Sequence, residues 1–253
     1  MKKILSPNPI IPIKIGNKNL EYYNNLLIKA DLGLHNQICF LVKSRFKHKK
    51  DIKILDIAAG EGALSYRLYN EGFENIDAVD IEPKKFQYHN LIKFFDLDLN
   101  DYQSVCIFEK NNYQKYDLIL GIETIEHLEN PWQYLRLLKG LVKKDGLIII
   151  STPNINSIYS KVSFFIFDYF FQFSNESLEY GHINPISTFE MQIICNNLGL
   201  KIERIFPGGT YPIIWIKTDF IFSFLYSLSN IIFSIFTKGM KYGWCNIYII
   251  KIV

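Results

Sequence analysis

The sequence predicts an α/β fold in which a parallel sheet carries helices on both faces. Apolar runs of strand length alternate with segments of helical character, an alternation typical of parallel sheets with crossover helices. The chain has 253 residues with 49% hydrophobic content, which is enough for one large core. Because neither an internal repeat nor a low-complexity linker interrupts the pattern, we expect a single domain over 1–253.

Each predicted strand is a short apolar run bounded by polar, glycine or proline residues. Helices are expected near 62–71, 131–143 and 188–198. The second helix has Pro131 in its first turn behind a capping asparagine, and its end is predicted to be closed by Gly146 of the KKDG sequence. The predicted strands are 52–57, 76–81, 92–97, 116–122, 146–152, 201–206 and 246–252.

Two segments depart from this alternation. Residues 153–187 are too long for an ordinary connection and contain the aromatic run SFFIFDYFFQF, so they are predicted to form a lid. Residues 220–236 carry no charge and are at the short end of what spans a bilayer. Their polar side chains recur on one helical stripe, which favours a helix packed on the domain with that stripe outward. Peripheral membrane contact and a membrane span are the alternatives.

The composition of the chain indicates which binding partners and which cellular compartment to expect. The net charge is only +3 and arginine is rare, so nucleic acid is not the expected partner. The four cysteines form no CxxC pair, which argues against a zinc knuckle and a disulfide framework. Prolines break the apolar stretch after MKKIL, so no cleaved signal is expected. We expect a cytoplasmic protein, with contact to the inner face of the membrane through 220–236 as the open alternative.

A glycine-containing turn follows the first predicted strand. In LDIAAGEGALS, Gly60 and Gly62 lie between a strand and a helix, where the backbone passes close to a ligand. Asp80 ends the second strand, where a carboxylate can accept hydrogen bonds from the two hydroxyls of a ribose. Asp98 follows the third strand and is placed to reach an adenine edge.

The charge around this turn distinguishes between ligands. Asp56 lies four residues before Gly60, and Glu61 stands between the two glycines. These carboxylates would repel the diphosphate of a dinucleotide, which otherwise binds at such a helix N-terminus. They would suit a ligand that carries an amino group and a sulfonium. The sequence therefore favours S-adenosylmethionine over NAD.

Taken together, the motifs resemble those of the class I S-adenosylmethionine-dependent methyltransferases. LDIAAGEG, AVDIEP, FFDLDLN, YDLILGIETIEHLENP and GLIIISTPN follow one another at family-like spacing over 30–206. The resemblance implies a Rossmann-like, doubly wound sheet of seven strands whose last strand is antiparallel. It also implies that Asp56 supports the methionine end of the cofactor. The cofactor-binding residues that it implies are Asp56, Gly60, Gly62, Asp80 and Asp98.

The predicted domain is divided accordingly. Residues 1–50 form an N-terminal helical arm, 51–152 the cofactor-binding half and 188–253 the C-terminal half. Ala58 stands where the family usually has the first glycine of its loop, so the exact loop conformation is open. His35 on the arm either packs in the core or folds over the cofactor's carboxylate.

The sequence GIETIEHLENP follows the fourth strand, whose carboxyl end faces the transferred methyl group in this fold. Glu123, Glu126 and His127 stand at i, i+3 and i+4, so they share one face if the chain turns helically. His127 is one candidate for a general base that removes the acceptor's proton. Alternatively, the carboxylates and the imidazole hold magnesium or manganese, which lowers the pKa of the acceptor's hydroxyl.

The ExxEH element resembles that of ubiquinone-biosynthesis O-methyltransferases and of small-RNA 2′-O-methyltransferases, where it belongs to a metal site. In the RNA enzymes a histidine downstream of the fifth strand completes the site, and His182 is the candidate here. A metal-free base or substrate contact, and a purely structural role, stay open for these residues. The candidate catalytic residues are Glu123, His127 and His182, and the candidate metal ligands are Glu123, Glu126, His127 and His182.

The expected reaction is O-methylation of a small-molecule, lipid-type or glycan-type acceptor. The aromatic lid and the apolar segment indicate an acceptor with nonpolar surface, because such side chains exclude water and stack on flat groups. Two alternatives stay open. One is an RNA 2′-O-methyltransferase, and the other is a noncatalytic, membrane-associated binding protein that retains the fold.

Overall fold

A seven-stranded sheet forms the centre of the protein, which a computed structural model describes over residues 14–15, 21–210, 214–215, 224–225, 228, 231–232, 235 and 243–253. The strands are β1 (Lys14–Ile15), β2 (Glu21–Tyr23), β3 (Leu26–Ile28), β4 (Ile54–Ile57), β5 (Ile76–Asp80), β6 (Lys93–Asp96), β7 (Tyr116–Ile122), β8 (Val142–Pro153), β9 (Leu200–Gly208), β10 (Ile214–Trp215) and β11 (Cys245–Ile252). The helices are α1 (Leu34–Arg45), α2 (Ala63–Asn70), α3 (Tyr102–Asn111), α4 (Pro131–Leu141), α5 (Ile158–Phe167), α6 (Asn175–Leu178) and α7 (Thr188–Asn197), and a single 3₁₀ turn covers Ile125–His127.

The order of the strands in this sheet is β6-β5-β4-β7-β8-β11-β9. The pairs β4–β5, β5–β6, β4–β7 and β7–β8 are parallel, whereas β11 runs antiparallel to both β8 and β9. The predicted Rossmann-like, doubly wound sheet with an antiparallel last strand is confirmed. Because the chain order reverses between β4 and β7, a crevice is expected at the carboxyl ends of these two strands.

Apolar side chains cover both faces of the sheet. In β4, Ile54 belongs to the cluster that packs against α1 and α2, while Leu55 belongs to the cluster on the opposite face with α4 and α7. In β7, Leu118 and Ile119 divide between the same two clusters. This division follows from the two-residue period of a strand, and burial on both sides explains why these strands read as continuous apolar runs.

The end of α4 differs from the prediction. The helix ends at Leu141, and Val142 begins the long strand β8 by pairing with Tyr116 of β7. The backbone after the helix therefore forms ladder hydrogen bonds with β7, and Gly146 lies inside the strand. The expectation that Gly146 closes the helix is wrong, because pairing with the neighbouring strand replaces a glycine cap.

The described part of the N-terminal arm contains a β-hairpin, β2–β3, before helix α1. The hairpin packs on α2 through aromatic side chains, with Tyr23 edge-on to Tyr66 and Arg67 stacked over the Tyr23 ring. Leu27 donates its backbone N–H to Glu61 at 2.8 Å, so the arm is tied directly to the glycine-containing turn. A helical arm was expected over 1–50, and the described residues are helical only in α1.

Segment 220–236 lies mostly outside the described residues, and so does its predicted polar stripe. Its six described positions are helical and expose large apolar side chains. Within the described part of the chain, we find no helix with the length and apolarity that crossing a membrane requires. The six positions are Phe224, Leu225, Leu228, Ile231, Ile232 and Ile235.

A buried carboxylate links β5 to its neighbours three residues before the strand ends. Asp77 is fully buried and accepts hydrogen bonds from Lys53 Nζ at 2.5 Å, Lys115 Nζ at 3.0 Å and the Tyr116 hydroxyl at 3.0 Å. Burial alone would raise the pKa of Asp77, but the hydrogen bonds from the two lysines outweigh burial and lower it. This ionised carboxylate therefore stabilises the fold at neutral pH.

We expect the substitution Asp77→Asn to lower the free energy of unfolding at pH 7 by roughly 2 to 3 kcal/mol, less than a fully buried ion pair because both lysines reach solvent. Since the pKa of Asp77 is lowered in the folded protein, the difference should shrink as pH falls below about 4. Urea denaturation followed by circular dichroism measures the difference in the free energy of unfolding between the variant and the wild type. Asp145→Asn, on an exposed residue, is the control, and an equal loss in both variants would refute the role of Asp77.

Candidate active site

A cavity of about 1320 Å³ opens at the carboxyl ends of β4, β5, β6 and β7, at the reversal of strand order. The lid, residues 153–187, borders it from one side and the N-terminal arm from another. Of the predicted site residues, Asp56, Gly62 and Glu126 are not part of the wall. Those that line the cavity are Gly60, Asp80, Asp98, Glu123, His127 and His182.

The two glycines of the turn have different surroundings. Gly60 has φ 57°, and a Cβ added there would meet no heavy atom within 4 Å, so this position borders open space in the cavity. Gly62 has φ 92°, and a Cβ there would come within 2.8 Å of the Phe86 ring. Gly60 thus allows a ligand to approach the backbone, whereas Gly62 allows close packing of the turn on Phe86.

Ala58 also lies in the left-handed region, with φ 58°. An alanine in this conformation costs about 1 kcal/mol relative to glycine, because its Cβ crowds the following carbonyl. The loop conformation that the sequence left open is therefore one that glycine would adopt without strain, and the surrounding turn holds alanine in it.

The carboxylates at the ends of β5 and β6 organise the nucleoside side of the cavity. Asp80 accepts the Gly60 N–H at 2.8 Å through Oδ2 and the Glu82 N–H at 3.0 Å through Oδ1. Asp98 accepts the Asn100 N–H at 2.9 Å. These backbone hydrogen bonds fix both side chains at the mouth of the cavity, where ribose hydroxyls and a base edge are expected.

Asp56 lies behind the turn. It is buried and accepts a hydrogen bond from the Ser65 hydroxyl at 2.6 Å, in the first turns of α2. Burial raises the pKa of Asp56 to about 7, the charge of Asp80 adds to this rise, and the Ser65 hydrogen bond opposes it. Asp56 therefore contacts the protein behind the turn and does not line the cavity.

The backbone at Glu123 is not helical, although a shared face with Glu126 and His127 would require a helical turn there. It has φ 51°, a left-handed conformation, and only Ile125–His127 continue as a 3₁₀ turn. Its carboxylate accepts hydrogen bonds from Ser151 Oγ at 2.9 Å and from Cys245 Sγ at 3.2 Å. The face that Glu123 was expected to share with Glu126 and His127 is therefore not formed, because the chain does not turn helically at Glu123.

Glu126, His127 and His182 come together beside the cavity. One potential ligand atom from each lies within 4.8 Å of those of the other two. Glu126 is fully buried, and neither of its carboxylate oxygens has a hydrogen-bond partner among the described residues. The two imidazole rings are 4.9 Å apart, centroid to centroid, and nearly perpendicular. Such a buried carboxyl is stabilised either by keeping its proton or by a group that binds it.

Hydrogen bonds to the backbone orient this cluster. His182 Nδ1 lies 2.9 Å from the Gln172 carbonyl, which leaves Nε2 as its ligand atom. The Glu126 carbonyl accepts the backbone N–H groups of Ile183 and Asn184, both at 3.0 Å. The lid is thereby attached to the turn that carries Glu126 and His127.

The charge states in the cluster follow from burial. Burial and the nearby charge of Glu123 raise the pKa of Glu126 well above its usual range. Burial and the neighbouring His182 lower the pKa of His127 to about 4, and burial also lowers the pKa of His182. Both imidazoles are therefore neutral at pH 7, which is the form that binds metal ions. At such a pKa, His127 is a weak general base.

The lid has its own secondary structure, α5 and α6. Phe167, Tyr169 and Phe171 line the cavity, whereas Phe165 on α5 is 75% exposed. The cavity wall also includes Trp244, which lies just before β11 and which the sequence did not single out. The lid side of the cavity therefore combines aromatic side chains with polar ones such as Ser163, Gln172 and Asn175.

The methyltransferase domain family matches residues 34–205 of this sequence, from the start of α1 into β9. The chain belongs to this family. Two relatives, both ubiquinone biosynthesis O-methyltransferases, come from Rickettsia bellii and Rickettsia typhi. The first is 31% identical over 125 residues, 47% of this chain and 49% of the relative. The second is 32% identical over 124 residues, 47% and 50% of the two chains. The chain thus spans about half the length of the curated relatives it matches.

Solved structures show the same fold for this chain. A SAM-dependent methyltransferase from Archaeoglobus fulgidus has a TM-score of 0.57 at 18% identity, covering 86% of this chain and 94% of that one. The magnesium protoporphyrin IX methyltransferase from Synechocystis PCC 6803 with bound SAH has a TM-score of 0.55 at 14% identity, covering 87% and 82%. The resemblance to class I S-adenosylmethionine-dependent methyltransferases is confirmed for family and fold.

The raised pKa of Asp56 predicts how stability varies with pH. Because the folded protein holds the Asp56 proton up to about pH 7 and the unfolded chain loses it near 4, the contribution of Asp56 becomes unfavourable as pH rises between these values. Asp56→Asn should therefore be as stable as the wild type at pH 4 and more stable at pH 8, by up to roughly 4 kcal/mol.

Urea denaturation of both proteins across this pH range measures the difference. Asp51→Asn, on an exposed residue, controls for removing any carboxylate. A difference between Asp56→Asn and wild type that does not change with pH would show that folding does not shift the pKa of Asp56.

Proposed function

We propose that the methyltransferase transfers the methyl group of S-adenosylmethionine to an oxygen atom of a small acceptor with nonpolar surface. The observation that carries this proposal is the cluster of Glu126, His127 and His182 at the end of β7. Deprotonation of a hydroxyl is the step that an oxygen acceptor needs, and a cation in this cluster would assist it. The relatives named as O-methyltransferases support the same choice of acceptor atom.

The cofactor residues are assigned from their positions in the wall. Asp80 binds the ribose hydroxyls and Asp98 the base edge, while Gly60 leaves room for the ligand against the turn. Asp56 supports the turn from behind, and Gly62 holds it on Phe86. S-adenosylmethionine supplies a methyl group already activated by a sulfonium. The protein therefore has to align the acceptor in line with the carbon–sulfur bond and exclude water.

Glu126, His127 and His182 are suited to a divalent cation, magnesium or manganese. On binding a cation, the Glu126 carboxyl would release its proton and supply a negative charge, and the two neutral imidazoles would supply nitrogen ligands, which favours manganese. A cation there would lower the pKa of the acceptor's hydroxyl. Glu123 lies on the wall but is held by Ser151 and Cys245, so we assign it contact with the acceptor rather than with the cation.

The acceptor is proposed to have a flat or lipid-type nonpolar part. Phe167, Tyr169 and Phe171 line the cavity and offer ring faces for stacking. The neighbouring exposed Phe165 continues this aromatic surface outward from the lid. This exposed surface and the exposed apolar side chains in segment 220–236 favour a lipid-type acceptor over a glycan-type acceptor. They also support peripheral membrane contact while a lipid-type acceptor is delivered.

The proposed reaction is tested with S-adenosylmethionine labelled in its methyl group and a panel of phenols with and without alkyl chains, alcohols, amines and carbon acids. We expect label only in hydroxyl compounds, with phenols that carry alkyl chains methylated fastest. Asp80→Ala should abolish incorporation by preventing cofactor binding, whereas Glu74→Ala, on an exposed residue, should not. Methylation confined to nitrogen or carbon would refute the proposal.

The cation site is tested separately by calorimetric titration with manganese. Wild type should bind one ion, and Glu126→Gln should weaken binding roughly tenfold or more because the only carboxylate in the cluster is lost. Glu129→Gln, three residues away and exposed, is the matched control. Binding of S-adenosylhomocysteine should be retained in both variants. Equal manganese affinity in wild type and Glu126→Gln would exclude this cluster as the site.

A further inference from the structure

Trp244 lies directly before β11 and is fixed to the central sheet through its backbone. Its N–H donates to the Thr210 carbonyl at 2.8 Å, and its carbonyl accepts the Asn154 N–H at 2.9 Å. Asn154 follows β8 and is fully buried, and Thr210 follows β9. The Trp244 indole therefore enters the cavity wall from a backbone position that two strands hold.

The lid pairs with Trp244 through Gln172. In the amide orientation that satisfies both groups, the Gln172 oxygen accepts the indole N–H, and the nitrogen donates to the Trp244 carbonyl at 3.1 Å. The neighbouring Phe171 ring lies edge-on to the indole, with centroids 5.3 Å apart and planes at 86°. One amide thus engages the indole N–H and the carbonyl together, so Gln172 has a defined position relative to the sheet.

The backbone of Gln172 holds the His182 ring. Because a carbonyl can only accept a hydrogen bond, the 2.9 Å contact between His182 Nδ1 and the Gln172 carbonyl makes Nδ1 the protonated nitrogen. Nε2 then carries the lone pair that can bind a cation. A hydrogen bond of this kind orients a ligating imidazole, and its loss typically costs roughly 10- to 100-fold in metal affinity.

Two attachments of the lid act differently on His182. The backbone that follows His182 is bonded to the Glu126 carbonyl, which brings the residue to the cluster. That attachment does not fix the rotation of the ring about its side-chain bonds. The Gln172 carbonyl fixes the rotation, and Trp244 in turn holds Gln172.

We propose that Trp244 is a positioning residue, which acts through Gln172 to orient the His182 imidazole towards the other two members of the cluster. The indole N–H and the Trp244 carbonyl fix the Gln172 amide, and the Gln172 carbonyl selects the tautomer and the orientation of His182. The catalytic consequence rests on the proposed cation. The orientation of His182 is independent of the cation and of the acceptor.

The first measurement follows the His182 ring directly. In protein with isotopically labelled histidine nitrogens, NMR should show His182 as the Nδ1-protonated tautomer, with its signal assigned from His182→Ala. Trp244→Phe keeps a ring against Phe171 but lacks the N–H, and Gln172→Leu removes the amide while keeping the backbone carbonyl. Both variants should convert His182 to a mixture of tautomers. An unchanged tautomer in both variants would overturn the assignment.

The second measurement is manganese affinity by calorimetry. Trp244→Phe and Gln172→Leu should each weaken manganese binding roughly tenfold and leave the binding of S-adenosylhomocysteine unchanged. In the His182→Ala background, Trp244→Phe should cause no further loss, because the ring on which Trp244 acts is absent. The same loss in both backgrounds would overturn the assignment, because an effect of the indole that does not pass through His182 is a structural one.

Trp132→Phe, on a partly buried tryptophan of α4 that does not line the cavity, is the matched control, and thermal unfolding verifies that every variant is folded. It should keep both the His182 tautomer and the manganese affinity, and losses equal to those of Trp244→Phe would count against the assignment. A wild type that binds no manganese would refute the proposed cation, and the tautomer measurement would still decide whether Trp244 orients His182.

Discussion

Parallel pairing of β4 with both β5 and β7 is the constraint on which the rest of the structure depends. It brings the carboxyl ends of three adjacent strands to one edge, so that the turn after β4, Asp80 at the end of β5 and Glu123 after β7 meet at one cavity. The hydrogen bond from Gly60 to Asp80 then connects the first two of these strand ends directly. Polar groups collect where the sheet's own ladder ends, while its faces stay apolar.

The buried polar groups of the cavity differ in how they are compensated. Asp56 is neutralised by keeping its proton, with one hydrogen bond from Ser65. Asp31 is held by a backbone N–H, and Glu123 by a hydroxyl and a thiol. Glu126 alone among these carboxylates has no described hydrogen bond to its side chain. Protein groups thus satisfy the first three, whereas for Glu126 burial favours the protonated form of the carboxyl.

Apolar runs predicted all seven strands of the central sheet, and the signal is strongest in β4 and β7, which are buried on both faces. The positions of Asp80 and Asp98 at the cavity were predictable for a related reason, since Asp80 lies near the end of such a run and Asp98 directly follows one. The orientation of the Glu123 side chain was not predictable, because it depends on a left-handed φ that glutamate rarely adopts. Asp31 meets Thr210 across 179 residues, and no local pattern encodes a contact at that separation.

The attachment of the lid to the Glu126 carbonyl couples opening of the cavity to the positions of Glu126, His127 and His182. Because Ile183 and Asn184 bond to that carbonyl and His182 immediately precedes them, opening this part of the lid would carry His182 away from Glu126 and His127. The three side chains would then be assembled only while the cavity is covered. Under the proposed function, ligands would enter and leave with the cluster separated, and the reaction would take place with its three side chains together.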